Sequence, residues 1–162
     1  MKHATAVDVQ TPQDPLNLYH AVRESVTVQD DAGSRRAALA DGLRQRTGLD
    51  DAALQRVVHS FYARARLDPD LGPIFAAHVA DWQAHEARMV DFWASVALLA
   101  GRYHRNALQA HKPLDLRQAH FTRWLELFDQ TLAAEVTPQA REHLLAIAQR
   151  IATTLRHRLC PR

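Results

Sequence analysis

Ser60-Phe61-Tyr62-Ala63-Arg64-Ala65-Arg66-Leu67-Asp68-Pro69-Asp70-Leu71-Gly72-Pro73-Ile74-Phe75 is the stretch that decides the fold. Its first part continues a helical repeat. Leu54, Val57, Val58, Phe61, Tyr62 and Ala65 recur every three or four residues, which lines one face of an α-helix. Asp50 or Asp51 can cap the start of that helix. Asp68-Pro69-Asp70 ends it, because proline restricts the residue before it and has no N–H to donate. Leu71-Gly72-Pro73-Ile74-Phe75 then reads as a turn leading to apolar residues.

The helical signal continues downstream. A second strong helix starts near Asp81, with a stripe of Trp82, His85, Met89, Phe92, Trp93, Val96 and Leu99. Residues 101–117 are less regular and carry Tyr103, His104, His111 and Pro113. A third helix holds Phe121, Trp124, Leu125, Phe128 and Leu132 on one face. Thr137-Pro138 opens a fourth, marked by Leu144, Ile147, Ala148, Ile151 and Leu155, since threonine caps well and proline suits the first helical position. No segment sustains an alternation of period two, so the expected class is all-α.

The first 48 residues differ. Residues 11–15 and 29–34 read as loops, and residues 16–28 between them suit a short helix or a strand. Ser34 can cap a helix over residues 35–46, which Gly48 would stop. Arg35, Arg36, Arg44 and Arg46 lie on it, opposite Ala37, Leu39, Ala40 and Leu43. A basic amphipathic helix of this kind either packs on its own domain or meets an acidic partner or membrane, and packing is the commoner outcome.

Composition narrows the classes. At 162 residues the chain suits one domain with an appended segment. It is 47% hydrophobic and 23% charged, which is ordinary globular usage. Lysine plus arginine number 20 against 18 acidic residues, a net charge of +2 that is too balanced to predict a nucleic-acid or anionic-membrane partner. The single cysteine, Cys160, excludes an internal disulfide, a cysteine zinc finger and a Cys-x-x-Cys redox motif. The start is polar and lacks the apolar run of a signal peptide, and the longest apolar stretch, residues 92–100, is too short to span a bilayer. A cytoplasmic protein is expected.

Several chemistries fail on spacing. His85-Glu86 begins like a zinc-protease motif, but the position of the second histidine is Met89. None of Glu24, Glu86, Glu126, Glu135 or Glu142 is followed three residues later by histidine, as a di-iron bundle requires. No glycine-rich phosphate loop or nucleophile elbow is present. What remains is a set of polar groups on apolar helix faces: His85, Tyr62 and Trp124. Each alone has an ordinary packing explanation. Together they suggest a pocket with a few polar groups in an apolar wall. His111, in the irregular segment, could be aimed there without the constraint of helical spacing, or simply face solvent.

These residues resemble the group III truncated haemoglobins. The resemblance rests on Phe61-Tyr62, the acidic turn and Leu71-Gly72-Pro73-Ile74-Phe75, and then on Trp82, His85, Met89 and Phe92-Trp93. It continues through Tyr103, Asn106 and His111 to Phe121-Thr122-Arg123-Trp124-Leu125-Glu126-Leu127-Phe128. It covers about residues 49–159, roughly two thirds of the chain. It implies a truncated globin domain over residues 49–162, with residues 1–48 as a partly helical extension. It also implies one non-covalent haem b. On that basis His111 is the proximal iron ligand. Tyr62, His85 and Trp124 are the distal residues that stabilise a bound ligand, and His85 could also swing as a gate or bind iron itself. Phe75, Met89, Phe92 and Trp93 wall the porphyrin, and Arg88, Arg105 and Lys112 stand nearest in sequence for its propionates. The family usually has glycine after the tyrosine of the Tyr103 segment. Here His104-Arg105-Asn106 follows, which makes His104 a competing ligand. His120 reads as structural.

The function so implied is binding of O₂ and other diatomic ligands. Chemistry on O₂, nitric oxide or peroxide is expected rather than bulk transport, with dioxygenase-like or peroxidase-like turnover fed by a separate reductase. The alternatives are a haem-based gas or redox sensor signalling through residues 1–48, and a haem-free helical interaction module. The oligomeric state is left open.

Overall fold

The computed structural model of the chain describes residues 15–160, with side chains from residue 31 onward. Of the loop expected at residues 11–15, residues 11–14 lie outside the described residues and Pro15 opens a helix. Seven α-helices and one 3₁₀ turn follow in order: α1 Pro15–Thr47, α2 Asp51–Ala65, α3 Gly72–His78, α4 Trp82–Leu98, α5 Ala107–His111, the 3₁₀ turn Lys112–Leu114, α6 Gln118–Glu135 and α7 Pro138–Leu159. The all-α expectation holds among these residues.

Two compact units divide the chain, residues 1–37 and residues 38–162. In the first, helix α1 runs through the residues expected to form a loop at 29–34. It also settles residues 16–28 as helix. A lone glycine is tolerated inside a helix at about 1 kcal/mol, and no proline interrupts the run after Pro15. Arg35 holds Asp31 one turn back, donating to its carbonyl at 3.2 Å and pairing with its carboxylate at 3.6 Å.

The second unit carries the core. The last part of α1 contributes Ala40 and Leu43, whereas Leu39 is 63% exposed and does not share their face. Gly48, at φ +70°, ends α1 in the left-handed conformation and donates to Arg44 O at 2.7 Å. Thr47 O then accepts from the Thr137 hydroxyl at 3.0 Å, which ties this end of α1 to the start of α7.

Helix α2 is capped by the Asp50 carboxylate, which accepts from Ala53 N at 2.7 Å. Its six expected stripe residues are all buried. Around it α4, α6 and α7 pack, with α2 against α4 and α6, and α7 against α6 and α4. Leu54, Leu98, Phe128, Leu132 and Leu144 are almost wholly removed from water. Each such side chain contributes about 1.5–3 kcal/mol through burial.

Three further expectations are corrected. Leu71–Phe75 is not simply a turn, because α3 begins at Gly72 and Pro73 sits in its first turn, where a missing N–H costs nothing. In α4 the buried face is Trp93, Ala94, Ala97 and Leu98; Val96 is 36% exposed, and Leu99 leaves the helix at φ 57°. The third concerns His111, which is the last residue of α5 rather than part of an irregular loop.

The candidate haem pocket

One apolar cavity of about 440 Å³ lies inside the second unit. Every site residue expected from the sequence lines it: Tyr62, Phe75, His85, Met89, Phe92, Trp93, His111 and Trp124. Five elements therefore converge, α2 to α6, and most deliver their side chains for a local reason. Tyr62 closes the buried face of α2. Phe75 follows the Pro73 start of α3. Asp81 caps α4 by accepting from Ala84 N at 3.0 Å, which sets His85, Met89, Phe92 and Trp93 on successive turns. After α4, the Ser95 hydroxyl accepts from Arg102 N at 2.8 Å and Tyr103 N at 3.0 Å, folding the chain back so that Tyr103 meets Phe92 edge-on. Asn106 then caps α5, accepting from Gln109 N at 3.2 Å. His111 ends that helix.

Hydrogen-bond chemistry sorts the histidines on the walls. His111 Nδ1 lies 2.6 Å from Ala107 O. A carbonyl only accepts, so Nδ1 carries the proton and the Nε2 lone pair is left for a metal. His78 repeats the arrangement, with Nδ1 2.8 Å from Ile74 O, but it is exposed where His111 is half-buried. His120 is the converse: its Nδ1 accepts from Arg117 N at 2.9 Å, so the neutral ring carries its proton on Nε2 and offers no lone pair there. The structural reading of His120 stands on that bond. His104 is exposed and does not line the cavity.

His85 Nε2 stands 2.9 Å from the Tyr62 hydroxyl, and the imidazole tautomer decides which of the two donates. Burial lowers the His85 pKa, reinforced by the positive charge of Arg88 and opposed by Glu86. The ring is therefore neutral near neutral pH. Burial also raises the Tyr62 pKa, with the charges of Glu86 and Tyr103 adding to it, so the phenol keeps its proton. Trp82 braces the pair from behind, at ring distances of 5.4 Å from Tyr62 and 5.9 Å from His85, and Arg66 lies 4.4 Å over the indole.

Trp124 stacks on Phe128 at 4.9 Å, and Phe128 stacks on Trp93 at 4.8 Å. The Trp124 indole N–H takes no hydrogen-bond partner among the described residues, although the residue lines the cavity. Of the three cations nearest in sequence, Arg88 and Arg105 reach the cavity wall, whereas Lys112 is exposed and does not.

Some of the wall escaped the sequence reading. His78, Ile74, Val58 and the α7 residues Ala148, Ile151 and Ala152 all line it. Periodicity marks the α7 residues as buried, but it cannot say whether a buried residue faces another helix or a cavity. Among the described residues no three His, Cys, Asp or Glu side chains come together to hold a metal ion. One half-buried imidazole with its Nδ1 on a carbonyl, in a largely aromatic cavity that two guanidinium groups also line, suits a metal that brings its own other ligands. Haem meets that description.

A helical bundle folded over one apolar cavity, with an imidazole held by a backbone carbonyl, has the architecture of a small haem globin. Residues 45–157 match the family described as bacterial-like globin. The chain is 30% identical over 116 residues to the group 3 truncated hemoglobin ctb of Campylobacter jejuni subsp. jejuni serotype O:2, covering 68% of this chain and 91% of that protein. It also resembles the crystal structure of a group III truncated hemoglobin from Campylobacter jejuni, with a TM-score of 0.66 and 30% identity, covering 70% of this chain and 93% of the other. The chain belongs to the group III truncated haemoglobins, a haem-binding branch of the bacterial-like globins. No described helix is long and apolar enough to cross a membrane.

Proposed function

We propose that the protein holds haem b without a covalent link, ligated by His111. We further propose that it binds O₂ and other diatomic ligands for chemistry on O₂, nitric oxide or peroxide rather than bulk transport. The observation that carries this reading is the His111 to Ala107 bond of 2.6 Å, which fixes the tautomer and leaves Nε2 as the ligating atom. Haem held by one histidine supplies reversible binding of diatomic gases and one-electron redox chemistry.

The chain's own residues set what that chemistry can do. Phe75, Met89, Phe92 and Trp93 would wall a bound haem and exclude water from it. Arg88 and Arg105 offer guanidinium groups to the propionates. Trp124 presents an N–H without a protein partner, so that donor is offered to whatever enters the cavity. Tyr62 and His85 share one hydrogen bond, and rotation of either releases a second donor. Donors facing a ligand that carries negative charge hold it strongly, which slows release. Slow release makes a poor carrier and a good site for chemistry. Turnover needs electrons, and a separate reductase is proposed to supply them.

The test is the absorption spectrum of the purified protein, ferric and ferrous, beside His111→Ala. The wild type should show a haem Soret band, and the variant should lose or shift it. A spectrum unchanged by His111→Ala would remove His111 from the iron. In addition, Tyr62→Phe and Trp124→Leu should accelerate ligand release, and unchanged off-rates would sink the donor role. A second reading, a gas or redox sensor working through the N-terminal segment, draws on the separate unit formed by residues 1–37. Deleting residues 1–37 should then change partner binding and leave the haem spectrum intact.

A further inference from the structure

The corner between α2 and α3 is fastened to α6 by an ion pair whose carboxylate is buried and whose guanidinium is partly exposed. The Asp68 side chain is 2% exposed. Its Oδ1 accepts from Asp70 N and Leu71 N, both at 3.0 Å, and its Oδ2 accepts from Arg123 Nε at 2.7 Å. Burial works to raise the Asp68 pKa. The hydrogen bonds from Leu71, Arg123 and Asp70 overcome it, and the carboxyl stays below its usual range. Arg123 also reaches Glu126 at 3.1 Å, so its guanidinium is held from two sides.

The residue after Arg123 is Trp124. The contacts that Trp124 makes for itself are aromatic: Phe128 at 4.9 Å with planes 21° apart, and Phe61 at 5.3 Å with planes 58° apart. Stacked and tilted rings tolerate sliding, because their energy changes slowly over a broad range of offsets. A charged hydrogen bond is short and directional. The other polar link between α2 and α6, Ser60 to Glu135 at 2.7 Å, lies about three turns further along α6. Near Trp124, then, the Asp68–Arg123 pair is the directional tether.

We propose that Asp68 and Arg123 are positioning residues that set the place of the Trp124 indole N–H in the cavity, and through it the hydrogen bond given to a bound ligand. This rests on the reading of Trp124 as a donor into the haem pocket, so the experiment tests both separately. The probe is carbon monoxide on the reduced haem protein, read by its infrared stretch. A donor near the ligand oxygen lowers that frequency, and removing it raises the frequency.

Trp124→Phe should raise the band. Arg123→Met should raise it in the same direction, and the double variant should move it little beyond Trp124→Phe alone. Arg123→Lys, which keeps a cation, should restore the band most of the way. Asp68→Asn keeps an oxygen for the Leu71 and Asp70 amides while breaking the pair, and reads the same effect if Arg123→Met fails to hold haem. The control is Arg141→Met, which breaks the Asp129–Arg141 pair between α6 and α7, formed at 2.7 and 2.9 Å. It should lower the melting temperature and leave the band in place.

A band fixed in Arg123→Met and Asp68→Asn but raised in Trp124→Phe overturns the positioning role and keeps the donor. Equal shifts in Arg141→Met also overturn it, since loosening α6 anywhere would then suffice. No movement in Trp124→Phe overturns the donor reading, and the positioning role with it.

Discussion

Gly72→Ala should destabilise the protein, although the residue opens a helix and alanine is the better helix former. Gly72 packs its α-carbon against the end of α2. An added Cβ would lie 2.7 Å from Arg66 O, 3.3 Å from Arg66 C and 3.5 Å from Ala65 O. Ordinary contact begins at 3.4 Å, so the nearest approach is short by about 0.7 Å. Both partners are backbone, and no side-chain rotation can relieve it. Gly72 N also donates to Asp68 O at 2.8 Å, so α3 cannot retreat without stretching that bond. Overpacking of this kind costs about 1–3 kcal/mol, and the helical gain from alanine returns only about 0.5–1 kcal/mol. A net loss of about 1–2 kcal/mol is expected. The assay is urea unfolding of the haem-loaded protein with Gly42→Ala alongside. The Cβ added at Gly42 meets only the far end of the Arg46 side chain, at 3.1 Å. Gly42→Ala should therefore gain about 0.5–1 kcal/mol. If Gly72→Ala is as stable as wild type, or gains as Gly42→Ala does, the close approach of α3 to α2 is not what the glycine serves.

Two further outcomes follow from the same geometry. The Asp68 carboxyl is held below its ordinary value, so its contribution is complete above the unfolded Asp pKa of about 3.9 and drains as pH falls through the lower folded value. Asp68→Asn should be less stable than wild type at pH 7, and the gap in urea midpoint should close below about pH 4; a gap that is constant with pH would contradict this. Extraction of the haem should cost much of the stability. At about 24 cal/mol per Å³, walls around 440 Å³ cost of order 10 kcal/mol if dry, an upper bound because water can enter. That is comparable with the whole stability of a domain. The extracted protein should melt far lower or lose its sharp transition, and an unchanged melting curve would refute the estimate.

The helices that were legible in the sequence are those with one wet and one buried face. α2 shows this most clearly: its stripe is unbroken, its cap is an aspartate, and every stripe residue is buried. α4 was placed correctly but its face was drawn too far round, because His85 and Met89 face the cavity while Ala94 and Ala97 face the core. Small residues that allow close helix packing carry little hydrophobic signal, so periodicity favoured Val96 over them. α3 was hidden by its own glycine and proline, which announce a turn in most contexts. Here one permits the close approach and the other occupies a first turn. In α1, Gly33-Ser34 after two aspartates carries every mark of a loop, and the helix runs through it. Those residues compete weakly with a long helical run on either side.

The cavity wall was legible for a different reason. Residue types and the resemblance pointed to residues that do line one cavity, and geometry separates their chemistry. Four histidines line the cavity, and composition treats them alike. Their partners do not. A carbonyl four residues back forces the proton onto Nδ1 in His111 and His78. A backbone amide facing Nδ1 forces it onto Nε2 in His120. A phenol facing Nε2 leaves His85 able to give or to accept. One ring type thus supplies a free Nε2 lone pair, a helix cap and an adjustable donor, according to what stands beside it. His78 has the chemistry of His111 without its burial, and water competes freely for an exposed lone pair. Partial burial together with the Nδ1–carbonyl bond, not the imidazole itself, is what favours His111 in the proposed ligation. For that reason the five residues from Ala107 to His111 matter as a helix: Asn106 starts it, Ala107 O orients the ring, and the turn at Pro113 follows without lengthening it.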